Sequence, residues 1–205
     1  MLAWIMPSSL YDMTRTFGTY SKAQEILFML KDIKEVVRHG YYEEQLPRVE
    51  EFCKKNKLAC VKSTFKVLLA DAHAYSNKGV RVPSEDARDG MYFVYISKDE
   101  QKAYLASYHE LMNNQKELGL MLGYPACCVE FFCKAFSAKN PNPQHEALNP
   151  WTNLSKRSRD CVLLSHFPCS SRCPSSITMA RAFHNVIKQD DELRADEMFM
   201  LLQEF

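Results

Sequence analysis

Two short elements of the chain carry cysteines at spacings that suit a metal site. The first element holds the adjacent pair Cys127 and Cys128, and the second, further along the chain, holds Cys169 and Cys173 in a Cys-x3-Cys spacing. Cysteine thiolates bind zinc ions and hold iron–sulfur clusters in proteins. The sequence therefore predicts that these four residues are the metal ligands of one cofactor-binding site.

Each cysteine pair is predicted to lie at the start of a helix. Proline is well tolerated in the first turn of a helix, and Pro125 and Pro174 are placed to open two of them. This would put Cys127 and Cys128 in the first turn of one helix and make Cys173 the cap of the other. The start of a helix carries unpaired amide donors and a partial positive charge, and both favour a thiolate over a thiol.

An iron–sulfur cluster, of the 4Fe-4S type, is the favoured cofactor. Adjacent cysteines point in different directions and seldom both bind one zinc ion, whereas a cluster with three protein thiolates and one open iron tolerates that. In this version Cys128, Cys169 and Cys173 bind the cluster, and Cys127, His166 or an external molecule takes the last position. The open iron could polarise a substrate as a Lewis acid does, or the cluster could transfer electrons, so an iron–sulfur-dependent enzyme is one form of the hypothesis.

Three alternatives to the cluster stay open. One is a zinc-stabilised binding module without catalytic activity, and another is a thiol redox protein that uses the cysteine pairs as exchanging dithiols. The third is simple core packing, since cysteine is among the most buried residue types. Core packing is the expectation for Cys133, which lies on the apolar stripe of the helix after Pro125.

Three other side chains near these elements are candidates for catalytic roles. His166, three positions before Cys169, could be a metal ligand or a proton-transfer group. Glu130 could act as a base or orient a ligand, although a carboxylate here is also typical of helix capping. Arg172 could neutralise cluster charge or bind an anionic substrate, although an ordinary solvated side chain is the expectation.

The two cysteine elements resemble those of an uncharacterised prokaryotic family of unknown function. Its members carry Gly-aromatic-Pro-x-Cys-Cys followed by His-x-Pro-Cys-x3-Cys, which correspond here to Gly123 to Cys128 and His166 to Cys173. The resemblance covers the chain from the helix before Gly123 onward. It implies no particular activity, because none is established for the family.

The elements that must position the cysteines predict an α+β fold, with helices around a small antiparallel sheet and a helical, cysteine-rich C-terminal half. We expect one domain over residues 1–205, with an N-terminal α/β part over about 1–97 and the helical part over about 98–205. Apolar spacing and breaker residues predict the individual elements. In the N-terminal part they are a helix whose apolar stripe runs through Ile26, Ile33 and Val37 to a stop at His39-Gly40, a second helix over 43–56 that is broken near Pro47, and strands over 58–70, 80–82 and 91–96. In the C-terminal part they are a long helix over 98–121 that Gly123 ends and a loop between Ser137 and Trp151. After Pro174 the chain is predicted to be helical to its end, with a break at 190–192.

Composition restricts the possible partners. The chain has 205 residues, eight cysteines and a formal net charge of +1, so no bulk positive charge indicates nucleic-acid binding. No apolar run approaches the ~20 residues of a membrane helix, and Met1 to Leu10 lacks the pattern of a signal peptide. We therefore expect a cytoplasmic protein with reduced thiols, whose partner is a small molecule or a protein and not a membrane.

Overall fold

The computed structural model of the protein describes residues 9–69 and 79–205. Within these ranges the chain forms eight α-helices and one four-stranded antiparallel sheet, so the predicted α+β class is confirmed. The helices are α1 Leu10–Phe17, α2 Tyr20–Leu30, α3 Leu46–Lys55, α4 Glu100–Leu111, α5 Gln115–Met121, α6 Ala126–Ala135, α7 Pro174–Asp190 and α8 Glu192–Leu202. The strands are β1 Val36–Tyr41, β2 Ala59–Leu69, β3 Gly79–Pro83 and β4 Met91–Ser97, and short 3-10 helices lie at Glu43–Gln45, Pro150–Thr152 and Arg157–Arg159.

The sheet has helices on both faces. Its strand order is β1-β4-β2-β3, and all neighbouring strands run antiparallel. Because successive side chains of a strand point to opposite faces, Val37 and Ile96 join the larger buried cluster, with α1, α2, α3, α7 and α8. Val36 and Tyr95 face the other way and pack against α4 and α5.

The larger buried cluster contains side chains from both the N-terminal and the C-terminal part. The rings of Phe28 in α2 and Phe183 in α7 stack with their centroids 4.1 Å apart. The amide of Leu10, which opens α1, donates a hydrogen bond of 2.8 Å to the carboxylate of Asp190 at the end of α7. Helices α1 and α2 of the N-terminal part are therefore held against α7 of the C-terminal part.

The prediction of one helix that continues through Ile33 and Val37 is wrong. Helix α2 ends at Leu30, and Asp32 adopts a left-handed backbone conformation with φ of 60°. The amide of Ile33 then donates to the carbonyl of Phe28 at 3.0 Å, which is the bond of a Schellman ending. The chain leaves the helix there and forms β1, a strand that the sequence analysis did not predict.

The predicted long helix over 98–121 is also wrong, because it is two helices. Asn113 has φ of 56° between α4 and α5, and the amide of Asn114 donates to the carbonyl of His109 at 2.8 Å. Gly123, with φ of 78°, ends α5 as predicted. A Cβ at Gly119 would lie 2.9 Å from a methyl of Val129, so this glycine allows α5 and α6 to approach closely.

The remaining predicted elements are confirmed where the structure describes them. Helix α3 starts at Leu46 with Pro47 in its first turn, and the three predicted strands correspond to β2, β3 and β4. Met1 to Ser8, Ala70 and His73 lie outside the described residues. The stretch after Ser137 forms only an isolated bridge to Asn140 before the 3-10 turn at Pro150.

None of the described helices combines the length with the apolar composition that crossing a lipid bilayer requires.

A cluster of charged side chains is buried between α2 and β1. The Lys34 ammonium forms an ion pair with the Glu25 carboxylate, and His39 Nε2 lies 3.2 Å from the same carboxylate. Burial alone would raise the pKa of Glu25, but Lys34 and His39 hold it well below its usual range. Burial lowers the pKa of His39, although Glu25 opposes the shift, so the ring is neutral near pH 7. The pair of Glu25 and Lys34 thus leaves neither charge alone in the interior.

Replacing Glu25 by Gln should cost about 3–5 kcal/mol of unfolding free energy, because it leaves the Lys34 ammonium buried without a counter-charge. Urea unfolding at pH 7 measures this loss. The double variant Glu25→Gln, Lys34→Met removes both charges and should recover most of it. A single variant as stable as the unmodified protein would contradict the prediction.

The same pair makes stability depend on acid. Because the pKa of Glu25 is depressed on folding, its contribution is complete above the unfolded value of about 4.3 and is lost as the pH falls below it. The double variant should therefore lose less stability than the unmodified protein when unfolding is measured between neutral and acid pH.

Candidate metal centre

The sulfur atoms of all four predicted cysteines meet in one place. Their Sγ atoms all lie within 4.8 Å of one another. The Cys128–Cys173 separation is 3.6 Å, Cys127–Cys173 is 3.8 Å and Cys127–Cys128 is 3.9 Å. The predicted convergence of the two elements is confirmed, and the group could hold a metal ion.

The first junction places two sulfurs in the first turn of α6. The positive φ of Gly123 ends α5 and turns the chain, and Pro125 then caps α6, which begins at the next residue. The carbonyl of Pro125 accepts the amide of Cys128 at 2.8 Å, which closes this first turn. Cys127 and Cys128 therefore stand at the start of the helix as predicted, with Pro125 one position earlier than the first helical residue.

The second junction has the predicted form. Pro174 opens α7 and Cys173 is its cap. The amide of Cys173 donates to the carbonyl of Ser170 at 3.1 Å, so the chain turns between the two cysteines. The amide of Cys169 donates to Sγ of Cys128 at 3.3 Å, which joins the second element to the first.

The side chains of Asn149 and Thr152 donate hydrogen bonds to the loop between Cys169 and Cys173. The carbonyl of Ser171 accepts the hydroxyl of Thr152 at 2.7 Å and also the side-chain amide of Asn149. Both donors lie at the 3-10 turn that follows the long polar loop. That turn therefore helps to fix the conformation of the loop.

Helix α2 anchors the chain that leads into Cys169. The carboxylate of Asp160 accepts the amides of Tyr20 and Ser21, the latter at 2.9 Å, and so caps the start of α2. The side-chain amide of Gln24 donates to the carbonyl of Val162 at 2.6 Å. Lys34 adds a bond of 3.3 Å to the hydroxyl of Ser165. The second cysteine element is thus positioned by residues near the start of the chain.

The environment of the thiols favours ionising one of them first. Burial would raise the pKa of Cys173, but hydrogen bonds from the hydroxyl and amide of Ser176 and from the thiols of Cys128 and Cys169 lower it to about 7. Burial raises the pKa of Cys128 well above its usual range and that of Cys169 to about 11, and the neighbouring Cys173 adds to both shifts. Cys173 is therefore the first of these thiols to ionise as the pH rises, and a cation that binds here displaces the protons of the others.

Ser176 is a functional candidate that the sequence analysis did not find. Its fully buried hydroxyl lies 3.2 Å from Sγ of Cys128 and 2.9 Å from Nε2 of His166. The signal was available, because Ser176 follows Cys173 by three positions and so lies in the first turn of α7. The three residues form a chain from the sulfur site to a buried imidazole.

His166 lies one residue away from the sulfur group and not within it. The four-member ligand group comprises the cysteines, and His166 contacts it through Ser176. Burial, Lys34 and Arg157 lower the pKa of His166 to about 3, which Glu25 only partly opposes, so the ring is neutral at pH 7. Its other nitrogen, Nδ1, is buried and has no hydrogen-bond partner.

The other candidates fall outside the sulfur group. Glu130 and Arg172 are both exposed, and their proposed catalytic roles stay predictions. The expectation that Cys133 packs in the core is wrong, because α6 turns Cys128 and Val129 inward and leaves Cys133 exposed. Among the four cysteines of the group, Cys127 is exposed and Cys169 half-buried, so the site lies at the surface.

Comparison of the chain with protein-family models, with curated protein sequences and with solved structures finds no match in any of the three. The resemblance of the two cysteine elements to an uncharacterised family therefore stays a prediction, and the arrangement of the side chains carries the functional argument.

Proposed function

We propose that Cys127, Cys128, Cys169 and Cys173 bind a single zinc ion, and that this ion joins the starts of α6 and α7 as a structural centre. The observation that carries the proposal is the spacing of the sulfurs. A tetrahedral zinc ion with Zn–S bonds of about 2.3 Å has sulfur–sulfur edges of about 3.8 Å. The three separations of 3.6, 3.8 and 3.9 Å among Cys127, Cys128 and Cys173 match that edge, and Sγ of Cys169 lies within 4.8 Å of each of them.

The same spacing argues against the 4Fe-4S cluster that the sequence favours. In such a cluster each thiolate binds a different iron, so the width of the cluster separates the ligand sulfurs. A single ion instead holds its ligand sulfurs one tetrahedral edge apart. A cluster with three protein ligands would also leave one cysteine outside. Sγ of Cys127 instead lies 3.9 Å from Sγ of Cys128 and 3.8 Å from Sγ of Cys173, which is close enough for all three to bind the same ion.

The first turn of α6 removes the objection to adjacent zinc ligands. Both side chains leave the same helical turn, and their sulfurs lie 3.9 Å apart without a bond between them. A disulfide needs a separation of about 2.05 Å, so the thiol redox alternative has no formed bond to support it.

A zinc ion here would carry four thiolates and hence two excess negative charges. The partial positive ends of α6 and α7 both face this charge, and the amide of Cys169 and the hydroxyl of Ser176 donate to Cys128. A site with four protein ligands has no open position for substrate, so the role supported is structural and not catalytic.

Metal analysis of the purified full-length chain should find about one zinc per chain and no acid-labile sulfide. Cys173→Ser should lose most of the zinc. The matched control is Cys133→Ser, which changes an exposed thiol on the same helix as two ligands and should keep the metal. Iron with stoichiometric sulfide, or zinc that survives Cys173→Ser, would overturn the proposal.

Stability should rise with free zinc, because only the folded chain assembles the four sulfurs. We expect about 1.4 kcal/mol for each tenfold increase of free zinc above the dissociation constant, measured by urea unfolding in metal buffers. Cys128→Ser should abolish this dependence and Cys133→Ser should keep it. An equal dependence in both variants would show that the ion binds elsewhere.

Ser176→Ala should weaken zinc binding by roughly 10- to 100-fold, because it removes the hydroxyl that supports the Cys128 sulfur. Competition with a chromogenic zinc chelator gives the affinity. Ser175→Ala, which changes an exposed hydroxyl in the same turn, is the control and should bind zinc normally.

A further inference from the structure

A cavity of about 480 Å³ adjoins the candidate metal centre. It lies between the sheet, α5, α6 and the segment that carries His166, and Cys128 lines part of it. Its volume falls in the range of about 300–1,000 Å³ that is typical of small-molecule sites. The structural role proposed for the cysteines does not use this space.

The charged groups that line the cavity favour an anion. Among the described lining residues, three carry guanidinium groups, Arg38, Arg81 and Arg157, and one carries a carboxylate, Glu110. Glu110 pairs with Arg38 and lies 3.7 Å from Arg81. Cationic side chains therefore outnumber anionic ones in the described lining, and a mainly cationic cleft attracts anions.

Aromatic rings make up much of the remaining lining. They belong to Phe93, Tyr124, Phe132, Phe136 and Phe167. Rings offer broad apolar faces and edges, so a flat organic molecule can bury its surface against them. The Tyr124 and His166 rings lie 5.1 Å apart, which brings the aromatic lining to the buried imidazole.

His166 presents an unpaired polar atom in this lining. The residue is 5% exposed, lines the cavity, and has no partner at Nδ1. A buried polar atom without a hydrogen bond is destabilising, so a ligand that bonds to it gains affinity.

The zinc site determines what Nδ1 can do. A metal-bound thiolate only accepts hydrogen bonds, so the Ser176 hydroxyl donates to Cys128 and its oxygen accepts from Nε2–H of His166. A neutral imidazole with its proton on Nε2 carries a lone pair on Nδ1. Nδ1 is then an acceptor, and it selects a ligand with a hydroxyl or amine donor.

We infer that this cavity binds an aromatic oxyanion, a carboxylate or a phosphate ester, that also carries a hydrogen-bond donor for Nδ1 of His166. The donor part rests on the proposed zinc site. The anionic and aromatic parts rest on the lining alone.

The test uses four small probes and the zinc-loaded full chain with ¹⁵N-labelled histidine. Titration with para-hydroxybenzoate should shift the His166 ring signals and saturate. Benzoate, which lacks the donor, should bind about three- to tenfold more weakly, and para-hydroxybenzyl alcohol, which lacks the charge, at least tenfold more weakly. Phenyl phosphate against benzoate then distinguishes the two kinds of oxyanion.

Variants assign the effect to the cavity. Arg157→Gln should weaken para-hydroxybenzoate binding about tenfold or more, whereas Arg159→Gln, in the same 3-10 turn but outside the lining, should not. His166→Phe should erase the preference for para-hydroxybenzoate over benzoate. His166→Asn, whose amide oxygen can take the place of Nδ1, should restore part of it.

The outcomes separate this inference from the zinc proposal. Failure of both oxyanions to bind zinc-loaded protein overturns the inference and leaves the zinc site standing. Equal binding of the charged and neutral probes, or equal effects of the two arginine variants, also overturns it. If the protein takes up no zinc under loading conditions but still binds the probes with the expected charge preference, the cavity is supported and the metal assignment is overturned. The zinc content and NMR spectrum of each variant show that it is folded.

Discussion

The 3.6 Å contact between the sulfurs of Cys128 and Cys173 joins two parts of the chain that are 45 positions apart. Closing a loop of this length costs conformational entropy, and thiols attract one another too weakly to offset it. The metal ion proposed for this site would supply the missing free energy, since structural zinc sites are worth about 10–16 kcal/mol in small peptides. The rest of the C-terminal half is arranged so that this contact can form. Gly123 turns the chain into α6, and Pro174 starts α7 directly after Cys173.

The N-terminal helices take part in the same arrangement. Helix α2 receives the cap from Asp160 and bonds to Val162 through Gln24, so the segment before Cys169 rests on an element more than a hundred positions earlier. Lys34, held by Glu25, reaches Ser165 in the same segment. The candidate metal centre therefore depends on the whole fold and is not an independent local motif. This explains why the sulfur geometry is tight although the spacing of the cysteines is unlike that of paired Cys-x2-Cys motifs.

The cavity and the sulfur site share a wall. Cys128 belongs to both, and the chain from Cys128 through Ser176 to His166 passes from the metal side to the cavity side. An ion that orders the start of α6 also orders the wall against which a ligand would bind. In this view the metal is structural, and the polar chain transmits the protonation pattern of the site to one nitrogen of His166. A structural centre can thus influence recognition without touching the ligand.

The sequence by itself determined the α+β class, the two helix starts and the identity of the four cysteines, because proline, glycine and thiol chemistry act locally. It missed the break before β1 and the break between α4 and α5, because Asp32 and Asn113 take left-handed conformations that only their Schellman bonds and the packing beyond them favour. It favoured an iron–sulfur cluster over a single ion, although that choice depends on distances between sulfurs far apart in the chain. Only the tertiary structure decided those distances, the position of His166 behind Ser176, and the cavity. Each of them depends on contacts between elements that are far apart in the sequence, and local sequence patterns do not determine such contacts.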